Sequence, residues 1–161
     1  VLPEIILPPK EHARLVGIDG KGKMSKSLNN GIYLGDSEKD IKDKVMKMYT
    51  DPNHIRVEDP GQVEGNVVFK YLDIFDPRTD EVAELKEHYS RGGLGDVKLK
   101  KRLNEVMQEF LRPIRERREE FAKDKAEVYN MLKAGSEKAE SVAAATLDEV
   151  KDAMGINYFK K

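Results

Sequence analysis

Cysteine is absent from this 161-residue sequence, which excludes a disulfide framework and any thiolate zinc site. Long apolar runs are absent too. No stretch approaches the roughly 20 residues of a membrane-spanning helix, and no positively charged start leads into a signal-type apolar segment. A soluble, cytoplasmic protein is the expectation. An excess of charge is also missing, since 29 Lys and Arg stand against 30 Asp and Glu. Any nucleic-acid surface is therefore a local patch rather than a long-range positive field. Histidine is scarce: His12, His54 and His88 stand singly in charged surroundings. None is paired with a serine or cysteine nucleophile, and surface positions are predicted for them. Asp51, Asp59 and Asp96 match no EF-hand spacing, and no HExxH element occurs. No metal ligand is predicted, and Asp51 and Asp96 read as turn or cap residues.

The length suits one domain with a core, or a small domain plus an appended fragment. Residues 1–30 are irregular, and only Glu4-Ile5-Ile6-Leu7 and Ala13-Arg14-Leu15-Val16 read as short strands. From Asp36 the pattern turns helical. Ser37 with Asp40 forms a capping box, and Ile41, Val45, Met48 and Tyr49 follow on one face. Residues 50–65, with two prolines, read as a connector. Asn66 and Thr79 are predicted N-caps of the next two helices, and Gly92-Gly93 stops the second. Asp96 opens the longest helix, which Pro113 bends rather than breaks. Asp124 starts a short helix closed by Gly135, and Ser136 caps a last one ended by Gly155. The predicted core is Val68, Tyr71, Leu72, Leu85, Leu103, Met107, Phe110, Ile114, Leu132, Val142, Leu147 and Val150. The fold class is thus mainly α, a C-terminal helical bundle behind an irregular N-terminal segment.

The densest chemistry lies in Gly22-Lys23-Met24-Ser25-Lys26-Ser27, followed by Leu28-Asn29-Asn30. Two compact ammonium charges, two hydroxyls and a glycine-led backbone make a segment suited to clamping a polyphosphate. A P-loop is the rival reading, because residues 17–23 satisfy the first seven positions of its pattern. Met24 stands where Ser or Thr should hold Mg²⁺, and Asn29-Asn30-Gly31 reads as a turn where a helix should start. That rival is rejected.

Lys23-Met24-Ser25-Lys26-Ser27 resembles the KMSKS signature of class I aminoacyl-tRNA synthetases. Gly17-Ile18-Asp19-Gly20 before it and Leu28-Asn29-Asn30-Gly31-Ile32-Tyr33-Leu34 after it are similar to the bacterial tryptophanyl branch. So are Thr50-Asp51-Pro52, Gly92-Gly93-Leu94-Gly95-Asp96-Val97-Lys98 and Pro113-Ile114-Arg115-Glu116-Arg117-Arg118, in the family's order. The resemblance covers nearly the whole chain. It implies ATP-dependent activation of tryptophan and its transfer to tRNA(Trp), that is, an amino acid–tRNA ligase. Residues 1–50 would be the C-terminal remnant of a Rossmann-like catalytic domain carrying the loop, and residues 51–161 a helical anticodon-binding domain.

By that resemblance Lys23 and Lys26 act on the ATP phosphates, Lys26 meeting the charge that develops as pyrophosphate leaves. Ser25 and Ser27 supply donors, Met24 anchors the loop, and Mg²⁺ arrives with ATP. Candidate tRNA contacts are Lys98 and Lys101, in a patch with Lys100 and Arg102, and Arg115 with Arg118; a salt-bridged solvent face is the alternative for the arginine segment. No His-Ile-Gly-His-like element and no amino-acid pocket is found, and the chain starts at Val1. A piece of a larger, homodimeric protein is expected, inactive and monomeric alone. A tyrosyl-type fragment and a stand-alone helical RNA-binding module remain the alternatives.

Overall fold

The computed structural model describes residues 3–9 and 13–158, which contain five helices: α1 (Glu38–Met46), α2 (Val67–Phe75), α3 (Thr79–Arg91), α4 (Asp96–Lys123) and α5 (Lys125–Met154). The chain divides into two compact units, residues 1–116 and 117–161. The fold is mainly helical. Among the described residues the only extended pairing noted is a single antiparallel bridge between Val16 and Lys23.

Local chemistry sets the helix boundaries. The Ser37 hydroxyl accepts the Asp40 amide at 3.1 Å while the Asp40 carboxylate takes the Ser37 amide at 3.3 Å and hydroxyl at 2.6 Å, closing the capping box of α1. Those hydrogen bonds from Ser37 hold the Asp40 carboxyl below its ordinary range. The Asn66 side chain accepts the Val68 amide at 3.0 Å and starts α2. At α3 the cap position falls on Arg78, without a side-chain hydrogen bond, so Thr79 is the first helical residue instead of the cap. Gly92 and Gly93, at φ 87° and 99°, end α3 in a conformation open to glycine.

In the first unit the core gathers Ile41 and Val45 of α1, Val67, Val68, Phe69, Tyr71 and Leu72 of α2, and Val82 and Tyr89 of α3. Leu99, Leu103, Val106, Met107 and Leu111 of α4 complete it, with Ile32, Met48 and Leu94. Val16, Ile18 and Met24 pack on this core from the N-terminal segment, so the loop's base rests on the same apolar cluster as the helices. Tyr71 donates its hydroxyl to the Val16 carbonyl at 2.6 Å.

Several expectations are corrected. Glu4 to Leu7 forms no strand, and Ile5, Ile6 and Leu7 are exposed; the described residues offer no neighbour to take their backbone groups. Gly135 and Ser136 do not divide two helices but sit inside the continuous α5. One glycine costs only about 1 kcal/mol in a helix interior, and the turns on either side outweigh it. Of the predicted core, Leu85 is half-buried, Phe110 and Ile114 of α4 are exposed, and all four α5 positions are exposed, Leu132 at 61% and Leu147 at 52%. Periodicity identifies which face is apolar, not what covers it. α4 runs unbroken through Pro113. At the chain's end Gly155, at φ 67°, forms the left-handed cap of α5, and Asp124 caps its start by accepting the Glu127 amide at 3.0 Å.

Candidate functional site

The segment from Leu15 to Gly31 is a hairpin-like loop. Its base is held by Met24 N–H to the Leu15 carbonyl at 2.9 Å and Gly17 N–H to the Gly22 carbonyl at 2.7 Å, beside the bridge that joins Lys23 to Val16. Lys23 therefore stands on a paired stretch of backbone with its side chain exposed. Lys26 stands at the tip, where Asn29 N–H returns to the Lys26 carbonyl at 3.1 Å and Asn29 takes φ 49°. The turn thus spans residues 26–29 and ends at Asn29, earlier than the turn expected over Asn29-Asn30-Gly31, and no helix begins there; α1 starts only at Glu38.

Asn30 organises the interior of this loop. It is buried, accepts the Ser25 amide on Oδ1 at 2.8 Å, and donates Nδ2 to Asp19 Oδ1 at 3.1 Å and to the Lys23 carbonyl at 3.4 Å. Its own carbonyl accepts Ile18 N–H at 2.8 Å. Gly17 is required here, because a Cβ at that position would lie 2.2 Å from Asn30 Nδ2. Met24 is half-buried and packs on Gly31, whose Cβ would meet Met24 Cγ at 2.4 Å. The Ser25 and Ser27 hydroxyls lie 2.9 Å apart and hydrogen-bond each other. The loop thus combines a fixed interior, two outward ammonium groups and a pair of hydroxyls, an arrangement that can surround an anion. Asn30 and Asp19 were missed as structural centres of the site. Two adjacent asparagines at a turn were the available signal, but burial of one of them depends on the fold.

The loop is tied to its surroundings on both sides. Tyr33 N–H donates to Asp36 Oδ2 at 2.8 Å, and Lys44 Nζ meets the same oxygen at 2.5 Å while lying 4.2 Å from the Tyr33 ring centre. Tyr49 N–H donates to the Ile18 carbonyl at 2.8 Å.

The remaining cations fall into two groups. Lys98, Lys101 and Arg118 are exposed. Lys98 and Lys101 open, with His88 and Arg91, onto a groove of about 710 Å³ that Glu81, Glu84 and Glu105 also line. Lys100, Arg102 and Arg115 are instead drawn into the protein. Lys100 Nζ donates to the Met46 carbonyl at 3.1 Å, and burial pushes its ammonium pKa down despite Asp96. Arg102 pairs with Asp76 at 2.8 Å and Glu81 at 2.6 Å. Arg115 Nη2 pairs with Glu38 Oε1 at 2.9 Å, rather than with the helical neighbour Glu119.

The surface position predicted for histidines is corrected at His54, which is buried with its ring 4.6 Å from Tyr89 and Nδ1 3.6 Å from Asp96 Oδ2. Apolar packing between the connector and α3 takes precedence there over its surrounding charges. His88 is half-buried, and His12 lies outside the described residues. Asp51 closes a turn, accepting the Asn53 amide at 2.9 Å and the Gln62 amide at 2.8 Å, which holds its carboxyl below the usual range. Asp96 heads α4 and accepts the Tyr89 hydroxyl at 2.8 Å and that of Thr50 at 3.2 Å. Burial first, and that bond to Asp96 second, push the Tyr89 pKa up.

Comparison with known proteins gives this geometry a family. The profile described as tRNA synthetases class I (W and Y) matches residues 1–112. The tryptophan–tRNA ligase of Streptococcus agalactiae serotype V is 61% identical over 163 residues, covering 99% of this chain and 48% of the relative. That of Streptococcus pneumoniae serotype 4 is 62% identical over 162 residues with the same coverage. This chain spans about half the length of these relatives. Among solved structures, the Campylobacter jejuni tryptophanyl-tRNA synthetase complexed with ADP and tryptophan aligns with a TM-score of 0.75 and 31% identity, covering 89% of this chain and 44% of the other. With the KMSKS residues on a fixed, outward-facing loop and a profile match over most of its length, the chain belongs to the class I tRNA synthetases of the tryptophan and tyrosine group.

Proposed function

We propose that this chain supplies the ATP-phosphate clamp and the tRNA-binding helices of a tryptophan–tRNA ligase. The observation that carries the reading is the loop of residues 17–31, in which buried Asn30 fixes the Ser25 amide and leaves Lys23 and Lys26 facing outward. In the reaction the tryptophan carboxylate attacks the α-phosphorus of ATP, the bond to the bridging oxygen breaks, and pyrophosphate leaves with its charge. A hydroxyl of the tRNA terminal ribose then takes the aminoacyl group and AMP departs. Lys23 and Lys26 neutralise the departing pyrophosphate, Ser25 and Ser27 donate to phosphate oxygens, and Met24 seats the loop on Gly31. Mg²⁺ is carried in on ATP. Among the described residues no group of three or more acidic, His or Cys side chains is set to hold a metal.

In this reading residues 1–50 close the catalytic domain and residues 51–161 form the anticodon-binding domain. Lys98, Lys101 and Arg118 are the exposed cations offered to RNA phosphate. The protein acts in the cytoplasm and as a homodimer when complete; the 161-residue chain alone is inactive and sediments as a monomer. Tryptophan is favoured over tyrosine because the relatives above 60% identity carry the tryptophan name.

The test is ATP–pyrophosphate exchange by a chimera in which this chain replaces the matching half of the Streptococcus agalactiae relative. Exchange with tryptophan and not with tyrosine is expected. Lys26→Ala should slow adenylate formation about 10²- to 10³-fold, as loss of one transition-state donor does elsewhere. Exchange only with tyrosine transfers the reading to the tyrosyl group. A chimera that folds but activates neither amino acid leaves a helical RNA-binding module.

A further inference from the structure

α4 holds α1 at both ends. At the start of α1, Gln108 Nε2 donates to the Glu38 carbonyl at 2.8 Å and Arg115 Nη2 to Glu38 Oε1 at 2.9 Å. At its end, Lys100 Nζ donates to the Met46 carbonyl at 3.1 Å. An ammonium group at a helix C-terminus and a donor on a first-turn carboxylate use opposite ends of one nine-residue element. Residues 100, 108 and 115 fall within about 80° of one another around the α4 axis, so one side of α4 makes all three contacts.

Long cationic side chains on a helix ordinarily reach out to water. Here the Arg115 side chain is only 11% exposed, and Lys100 is half-buried. The phosphate loop, in turn, is fastened to α1 twice. Its exit is bound through Tyr33, Asp36 and Lys44, the last being a residue of α1 itself. Its entry is bound through the Ile18 carbonyl to Tyr49, three residues beyond the end of α1. Contacts thus run without a gap from α4, through α1, to both limbs of the loop.

We propose that Lys100, Gln108 and Arg115 are positioning residues for the phosphate loop, setting the placement of Lys23 and Lys26 through α1. This rests on the reading of residues 23–27 as a polyphosphate clamp. It also divides the cations of α4 by role: Lys98 and Lys101 face outward, while Lys100 and Arg115 serve the loop from behind.

The test uses the ¹⁵N-labelled 161-residue chain and inorganic tripolyphosphate, with affinity read from the amide signals of Lys23 to Ser27 and folding from circular dichroism. The variants are Arg115→Glu, Glu38→Arg and the double exchange of both. If only the overall field mattered, Arg115→Glu would weaken binding and Glu38→Arg would strengthen it. Positioning requires that both weaken it, by about tenfold, and that the double exchange, with unchanged net charge, restores it to within about twofold. Glu38→Gln changes one exposed carboxylate to its isostere, and it should weaken binding about threefold even if the reversals fold poorly. Wild-type affinity in Glu38→Gln, or a gain in Glu38→Arg, overturns the inference while leaving the clamp intact. Loop signals that tripolyphosphate does not move in the wild-type chain overturn the clamp, and the inference with it.

Discussion

Asn30 Oδ1 accepts the Ser25 backbone amide at 2.8 Å from a buried position, so a side chain five residues later replaces a backbone acceptor inside the loop. Replacing Asn30 by Ala leaves that amide without its acceptor and the Asp19 carboxylate with only the Lys21 amide, at 3.3 Å. A loss of about 1–3 kcal/mol in urea unfolding is expected. Amide exchange at Ser25 should accelerate in the same variant. Asp in place of Asn restores the acceptor but puts a negative charge beside Asp19, and should be no better than Ala.

Asp76 should dominate one part of the acid response. Its burial pulls the carboxyl pKa up, but hydrogen bonds from Arg102 and from the Arg78 side chain and amide outweigh this, and it lies below 3.8. A depressed folded pKa means that the ionised form stabilises the fold above the unfolded value and that this contribution fades as pH falls through the folded one. Asp76→Asn should flatten the stability profile below about pH 4. Arg102→Met leaves the fully buried carboxylate with Arg78 alone and should cost about 3 kcal/mol at pH 7. Thermal unfolding across pH 2–7 checks both expectations.

Tyr71 sets an alkaline limb. Burial pushes its phenol from 10.0 up to about 12, and the neutral hydroxyl donates to Val16 at 2.6 Å. With the folded pKa raised, the stabilisation is present below pH 10 and is lost as pH rises toward 12, amounting to about 2–3 kcal/mol. Tyr71→Phe should be about 1 kcal/mol less stable at pH 7 yet lose less on going to pH 11. Denaturant titrations at the two pH values measure the difference.

Gly92 cannot be replaced without strain. At φ 87° its backbone is in a region that side chains rarely enter, and a Cβ would lie 2.2 Å from the Glu58 carbonyl oxygen. Gly92→Ala should destabilise by about 2 kcal/mol or more. Gly135 provides the contrast. It lies inside α5 with nothing near its Cβ position, so Gly135→Ala should raise helix stability by up to about 1 kcal/mol. Far-UV circular dichroism melts compare the two.

Much of the local structure is legible in the chain. Ser37 and Asp40, Asn66 and Asp124 cap helices through bonds to residues two or three positions away, and Gly92 and Gly155 end them by their own backbone freedom. The KMSKS residues carry the proposal of a phosphate loop because charge and hydroxyl chemistry travel with residue type. Gly135 shows the limit of the same reasoning, since a glycine between two helical patterns interrupts the helix only when no stronger continuity spans it.

By itself, then, the sequence determined most of the helix ends, which faces are apolar and where the lysines and hydroxyls of the proposed phosphate loop cluster, because those properties act within a turn or two of the chain. The tertiary structure alone decided that His54 is buried against Tyr89 and that Asn30 stands inside the loop. It also decided that Arg115 spends its guanidinium on Glu38, 77 positions away, and that α4 buries its stripe through Leu111 while α5 leaves its own exposed. A partner's identity is a matter of distance in space, and a periodic pattern holds no record of it.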